Sequence, residues 1–67
     1  ATVQAAQNLV VVRSEPGTAP AVGLAIDELE REEIVGTVAG DDTVLLVLPD
    51  VAAAQGMVEL LTGFVQA

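Results

Sequence analysis

Ile34-Val35-Gly36-Thr37-Val38-Ala39-Gly40-Asp41-Asp42-Thr43-Val44-Leu45-Leu46-Val47-Leu48 is the stretch that decides the fold. Its two β-branched ends, residues 34–38 and 43–48, read as strands. Ala39-Gly40-Asp41-Asp42 between them has the residues of a tight hairpin turn. Pro49 stops the second strand, and Asp50 is placed to cap a following helix. In that helix Ala54, Met57, Val58, Leu61, Phe64 and Val65 recur at 3/4 spacing and predict one broad apolar face. Gly56 and Gly63 weaken it by about 1 kcal/mol each relative to Ala, unless close packing against a neighbour requires them.

Upstream, Leu9-Val10-Val11-Val12-Arg13 is a short β-branched run and predicts a buried strand. Residues 1–6 predict a shorter strand before it, turned back through Ala6-Gln7-Asn8. Pro16-Gly17 then breaks the chain. Val22, Ala25, Ile26 and Leu29 follow at helical spacing with one core face. Pro20 fits only the first turn, so this helix starts near Thr18. It ends in Glu28-Leu29-Glu30-Arg31-Glu32-Glu33, an acidic run that reads as a solvated helix end and loop. The order is ββαββα. It predicts an α+β fold: a four-stranded, mainly antiparallel sheet with two helices on one face, in one domain over residues 1–67. The other face of that sheet must meet something apolar. Hydrophobic residues make up 52% of only 67 residues, and no disulfide is possible. A domain of this size buries about 60% of its unfolded surface, so the surplus of Val, Leu and Ala reads as a subunit interface.

Charge and missing residue types remove whole classes of function. Ten acids against two cations give a net charge of −8, and the cations are Arg13 and Arg31, with no Lys. Such a surface repels phosphate backbones and has no basic stripe for anionic lipid. No apolar run is long enough to span a bilayer. Without Cys or His there are no thiolate metal sites, no Cys nucleophile and no Ser-His-Asp triad. Phe64 is the one aromatic residue, too few for base stacking. A Gly-Asp-Asp hairpin does occur in the palm of RNA-dependent polymerases, but this chain lacks Lys and a phosphate-binding loop. It is expected not to be an enzyme.

Two adjacent carboxylates at the hairpin tip have two readings. One acid caps the turn by accepting backbone N–H groups, or a free carboxylate meets a cation. That cation would be a divalent metal, a partner's Lys or Arg, or a cationic small molecule. A guanidinium fits well, because its planar fork matches a carboxylate with two parallel hydrogen bonds. Asp27 lies among Leu24, Ala25, Ile26 and Leu29 on the first helix. It reads either as a boundary residue facing water or as an acceptor for an ammonium group.

The octet Gly36-Thr37-Val38-Ala39-Gly40-Asp41-Asp42-Thr43 resembles the G-T-[IV]-A-G-D-D-T signature of the bacterial arginine repressor family, in its C-terminal domain. Asn8-Leu9-Val10-Val11-Val12-Arg13-Ser14 followed by Pro16-Gly17, the position of Asp27 and the apolar last helix extend the likeness over residues 2–66. The resemblance implies a cytoplasmic transcriptional regulator of arginine genes. Its winged-helix domain, which binds operator DNA, is absent from this chain. The matching domain would bind L-arginine as co-repressor, with no other cofactor, metal or membrane partner. It would form trimers that stack as a dimer of trimers into hexamers, with arginine between them. By the same resemblance, Asp41 clamps the guanidinium from the opposite trimer. Asp27, Thr37 and the backbone of Ala39 hold the amino-acid end, and Asp42 supports the acidic cluster. Pro20 stands where many members have Gln and some His, which removes a hydrogen bond of about 0.5–1.5 kcal/mol. Two other readings stay open. One is a structural trimerisation module whose acids only cap a turn. The other is an amino-acid-sensing domain of the ACT type, whose usual order begins βαββαβ.

Overall fold

Continuous runs of Val and Leu, buried at every second residue of β2 (Leu9–Arg13) and β4 (Thr43–Val47), build a sheet with one dry face. The computed structural model describes residues 1–66, with side chains as far as Phe64. Strands β1 (Thr2–Ala6), β2 (Leu9–Arg13), β3 (Gly36–Ala39) and β4 (Thr43–Val47) form one sheet in the order β1-β2-β4-β3. Every pairing is antiparallel. Helices α1 (Ala19–Asp27) and α2 (Val51–Gln66) complete the expected ββαββα order.

Register puts Val3, Val12, Val44 and Ala39 in one cross-strand row, and Ala5, Val10, Leu46 and Thr37 in the next. These rows share a face. Val10, Val12, Val44 and Leu46 are fully buried there against Ala19 and Ile26 of α1 and Ala54, Met57 and Leu61 of α2. Helix α2 covers β1 and β2, while α1 covers β3 and β4, so both helices lie on one side. The opposite face carries Leu9, Val11, Leu45 and Val47, each half-buried, and Val38, which is 65% exposed. It is the apolar, uncovered face that the composition predicts.

The turns follow their residues. Gln7 supplies the positive φ of 56° that the two-residue β1–β2 connection requires. Glu15-Pro16-Gly17-Thr18 closes with Thr18 N–H on Glu15 O at 3.1 Å, and Gly17 takes φ 82° after Pro16, a type II pattern. Helix α1 starts after Thr18 with Pro20 in its first turn. Asp50 caps α2 as expected, its Oδ1 accepting Ala53 N–H at 2.8 Å.

Several boundaries differ from the sequence reading. Strand β3 begins at Gly36, so Ile34 and Val35 fall outside it. Val35 N–H reaches Val47 O at 2.8 Å while Gly36 is the register partner of Val47, so two residues oppose one, as in a β-bulge. Strand β4 stops at Val47, and Leu48 packs into the core just beyond it. The α1 face that meets the sheet is Ala19, Gly23 and Ile26, with Val22, Ala25 and Leu29 at its margins. A stripe of small residues lets α1 lie close to the sheet: a Cβ on Gly23 would stand 3.3 Å from Ala39 Cβ. A Cβ on Gly56 or Gly63 would meet nothing within 4 Å among the described residues, so the close packing suggested for them has no partner there. Val65 lies outside the described side chains.

These surroundings give two glycine replacements opposite signs. Gly23→Val should destabilise the chain by about 1–3 kcal/mol through overpacking against Ala39 and Val44. Gly56→Ala meets only open space and should stabilise it by about 0.5–1 kcal/mol. Urea denaturation of the two variants reads both shifts.

Candidate functional site

Helix α1 runs beside the β3–β4 hairpin, and the polar groups gather at its two ends. At its N-terminal end the hairpin tip supplies backbone acceptors. Asp41 O accepts from Gly17 N–H and from Ala19 N–H, each at 3.1 Å, and Asp42 O accepts from Ser14 N–H at 2.7 Å. The carbonyls of the two acids thus satisfy donors that the start of α1 leaves open. Thr18 does not cap the helix with its side chain; its hydroxyl donates to Glu15 O at 2.6 Å.

The carboxylates do something else. Asp42 Oδ1 accepts the Thr43 hydroxyl at 2.9 Å, and its Oδ2 lies 3.6 Å from Arg13 Nη2 in an exposed ion pair. Asp41 is exposed, and its carboxylate has no hydrogen bond or ion pair among the described residues. Neither side chain accepts a backbone N–H, so the expected carboxylate cap of this turn is not formed. The turn closes through the backbone instead, with Gly40 N–H on Thr43 O at 2.8 Å.

At the other end of α1, Asp27 Oδ1 accepts the Thr37 hydroxyl at 2.9 Å. This is the boundary position expected for Asp27, exposed to water, but oriented by a neutral donor from β3. Eight residues of helix separate Ala19 from Asp27, about 12 Å at 1.5 Å per residue, so Asp27 and Asp41 occupy opposite ends of α1. Along the edge between them runs β3. Gly40 and Thr43 form a hydrogen-bonded pair, and such pairs alternate along an antiparallel ladder. Thr37 and Ala39 therefore turn their N–H and C=O groups to the open edge of the sheet. Pro20 is exposed in the first turn of α1, on the Asp41 side. The structure thus brings Thr37 to Asp27, and Asp41 to the start of α1 near Pro20, but it does not bring Asp27 and Asp41 together.

One feature of this surface was not legible in the sequence. Asp27 lines a cleft of about 250 Å³ with Ile26, Glu30, Arg31, Ile34 and Gly36. Glu30 holds φ at 53°, a left-handed conformation that costs a non-Gly residue about 1–2 kcal/mol. The acidic run therefore does more than trail into solvent: its backbone folds back against Asp27. The available signal was Arg31, a lone cation inside five acids of the 27–33 segment. Its Nη2 lies 3.1 Å and its Nε 3.4 Å from Glu33 Oε2. A slightly larger cleft, about 280 Å³, opens between the helices among Val12, Ser14, Val22, Ala25 and Phe64, and it is apolar. Among the described residues no group of three or more acids is gathered as a metal would need, and no helix is long and apolar enough to cross a membrane.

An antiparallel sheet with both helices on one face, and a carboxylate at each end of α1, defines a small α+β domain with a polar surface site. The family described as Arginine repressor, C-terminal domain, matches residues 1–63. An arginine repressor of Solibacter usitatus (strain Ellin6076) is 48% identical over 61 residues, 91% of this chain and 42% of that protein. One from Acetivibrio thermocellus is 51% identical over 57 residues, 85% of this chain and 37% of the relative. One from Thermotoga maritima is 41% identical over 61 residues, 91% of this chain and 40% of the relative. The chain belongs to the arginine repressor C-terminal domain family. It spans less than half the length of these relatives. Membership and the ββαββα order together remove the ACT-type alternative.

The hydrogen bonds from the Arg31 side chain, with a contribution from the backbone N–H of Glu33 itself, hold the Glu33 carboxyl below its ordinary value of 4.5. Because folding lowers this pKa, the pair's contribution is present above about pH 4.5 and is lost as pH falls through the lowered value. In Arg31→Gln the Glu33 carboxyl should titrate higher, closer to its ordinary value. NMR titration of the side-chain carboxyl measures this directly.

Proposed function

We propose that this chain is the L-arginine-binding, oligomerising effector domain of an arginine-responsive transcriptional repressor. One observation carries the reading: two carboxylates are left open, Asp27 at the end of α1, oriented by Thr37, and Asp41 at the β3–β4 tip, without a side-chain partner among the described residues. L-arginine has a cation at each end, an α-ammonium and a guanidinium. Asp27, Thr37 and the outward backbone of Ala39 take the amino-acid end. Asp41 takes the guanidinium through paired hydrogen bonds, reaching in from a facing copy. Asp42, held by Thr43 and Arg13, keeps the tip acidic without competing for the same fork. Pro20 offers no side-chain donor, so backbone or water replaces the hydrogen bond that Gln or His gives elsewhere in the family.

The uncovered sheet face makes the first level of assembly. Leu9, Val11, Val38, Leu45 and Val47 form an apolar patch that a second and third copy bury, giving a trimer. Arginine then joins two trimers into a hexamer. Copies carrying a net charge of −8 repel one another, and a bound guanidinium neutralises one carboxylate while bridging subunits. Ligand that binds the assembled state better stabilises it, and assembly raises ligand affinity by the same factor. In the whole repressor this assembly would fix the DNA-binding domains on the operator. The domain acts through binding and carries no catalytic step.

Sedimentation velocity over a dilution series should show millimolar L-arginine shifting the chain from trimer to hexamer, with citrulline inert because it lacks the charge. A trimer indifferent to arginine, with no heat in calorimetry, would favour the purely structural module instead. Asp41→Asn should abolish the arginine response and leave the trimer intact; normal arginine binding by this variant would exclude Asp41 as the guanidinium partner. Val38→Asp adds a charge to the open sheet face and should dissociate the trimer while far-UV circular dichroism stays unchanged.

A further inference from the structure

The cleft beside Asp27 contains a cation that the arginine-binding reading does not use. Arg31 lines this cleft together with Asp27 and Glu30. An amino acid whose ammonium is on Asp27 brings its α-carboxylate into the same neighbourhood, within a short reach fixed by its Cα. Two acids in one cleft repel that carboxylate unless a cation or N–H donor meets it. The chain's other cation, Arg13, is on β2 and paired with Asp42 at the hairpin tip, at the opposite end of α1. Only Arg31 is near. Its present partner, Glu33, is a half-exposed carboxylate two residues away. Exposed pairs of this kind are weak and exchange readily.

We propose that Arg31 is a specificity-determining residue that leaves Glu33 to bind the α-carboxylate of the ligand, so that the cleft selects an intact α-amino acid over a decarboxylated guanidino amine. This rests on the arginine-binding reading and adds to it a residue and a discrimination. The left-handed backbone at Glu30 supports it, because that turn brings the chain from the end of α1 back along the cleft and presents Arg31 to it. Exchange has a spectroscopic sign as well. When Arg31 moves to the ligand, the Glu33 carboxyl loses the hydrogen bond that holds it down and its titration rises toward the ordinary value.

Isothermal titration of the 67-residue chain with L-arginine and with agmatine, which keeps the guanidinium and lacks the carboxylate, tests the assignment. The unmodified chain should bind arginine about tenfold more tightly than agmatine, the size of one charge-assisted hydrogen bond. Arg31→Gln should weaken arginine by about that factor and leave agmatine no weaker, so the preference disappears. Glu33→Gln, which removes the competing carboxylate, should tighten arginine and not agmatine. NMR should show the Glu33 carboxyl pKa rising on saturation with arginine and not with agmatine. Equal loss of both ligands in Arg31→Gln, or a Glu33 titration indifferent to arginine, would overturn the role of Arg31 while leaving arginine binding standing. Failure of the unmodified chain to bind either ligand would overturn both.

Discussion

Three backbone hydrogen bonds at the hairpin tip govern the placement of everything else. Asp41 O and Asp42 O accept from Gly17, Ala19 and Ser14, and so fasten the Pro16-Gly17 turn and the start of α1 to the β3–β4 connection. These bonds are long in sequence and short in space. They set the slide of α1 along β3, and with it the meeting of Asp27 with Thr37 at the far end. Gly23 completes the constraint halfway along, since a side chain there would push α1 away from Ala39. The hairpin acids are therefore structural through their carbonyls and available through their carboxylates. The same residues can hold the fold and face a ligand because the two tasks use different atoms.

The apolar and charged surfaces are divided with similar economy. The dry sheet face is completed by two helices, and no polar side chain is buried among the described residues. The other face stays apolar and half-open, and Val35, Leu24 and Val38 are exposed besides. A chain with a net charge of −8 does not associate indiscriminately through such a face, because repulsion between copies opposes it. Association then requires good apolar contact over the sheet or neutralisation of carboxylates by a cationic ligand. The two requirements belong to two different surfaces, the sheet face and the ends of α1. In the proposed assembly this would let one contact be permanent and the other respond to ligand.

Much of this was readable from residues alone, for identifiable reasons. The β-branched runs at residues 9–13 and 43–48, the Pro16-Gly17 break and Asp50 before the last helix each act locally, and all six elements appeared in the expected order. The octet ending in Asp41-Asp42-Thr43 carried the family, and the resemblance is the source of the residues proposed to hold the ligand. What was not readable depended on tertiary context. Ile34 and Val35 are as β-branched as the strand that follows, yet a bulge opposite Val47 keeps them out of it. A carboxylate cap at the hairpin tip was one reading for Asp, but the Asp42 carboxylate meets the adjacent Thr43 hydroxyl and Arg13, whose approach across the sheet no local pattern reveals. The left-handed Glu30 gave no warning either, because Gly or Asn is the usual residue at such a position.

The arrangement of the chain's own cations separates occupied acids from open ones. Arg13 stands at Asp42 and Arg31 at Glu33, so neither arginine is paired with Asp27 or Asp41. Asp27 is oriented by a neutral hydroxyl, which fixes its geometry and leaves its charge uncompensated. Asp41 has its carbonyl engaged and its carboxylate open. Had Arg13 reached Asp41 in place of Asp42, the strongest guanidinium acceptor at the tip would already be satisfied from within the chain. A domain with so many acids and so few cations leaves the Asp27 and Asp41 carboxylates open because its own arginines pair with other acids, Arg13 with Asp42 and Arg31 with Glu33.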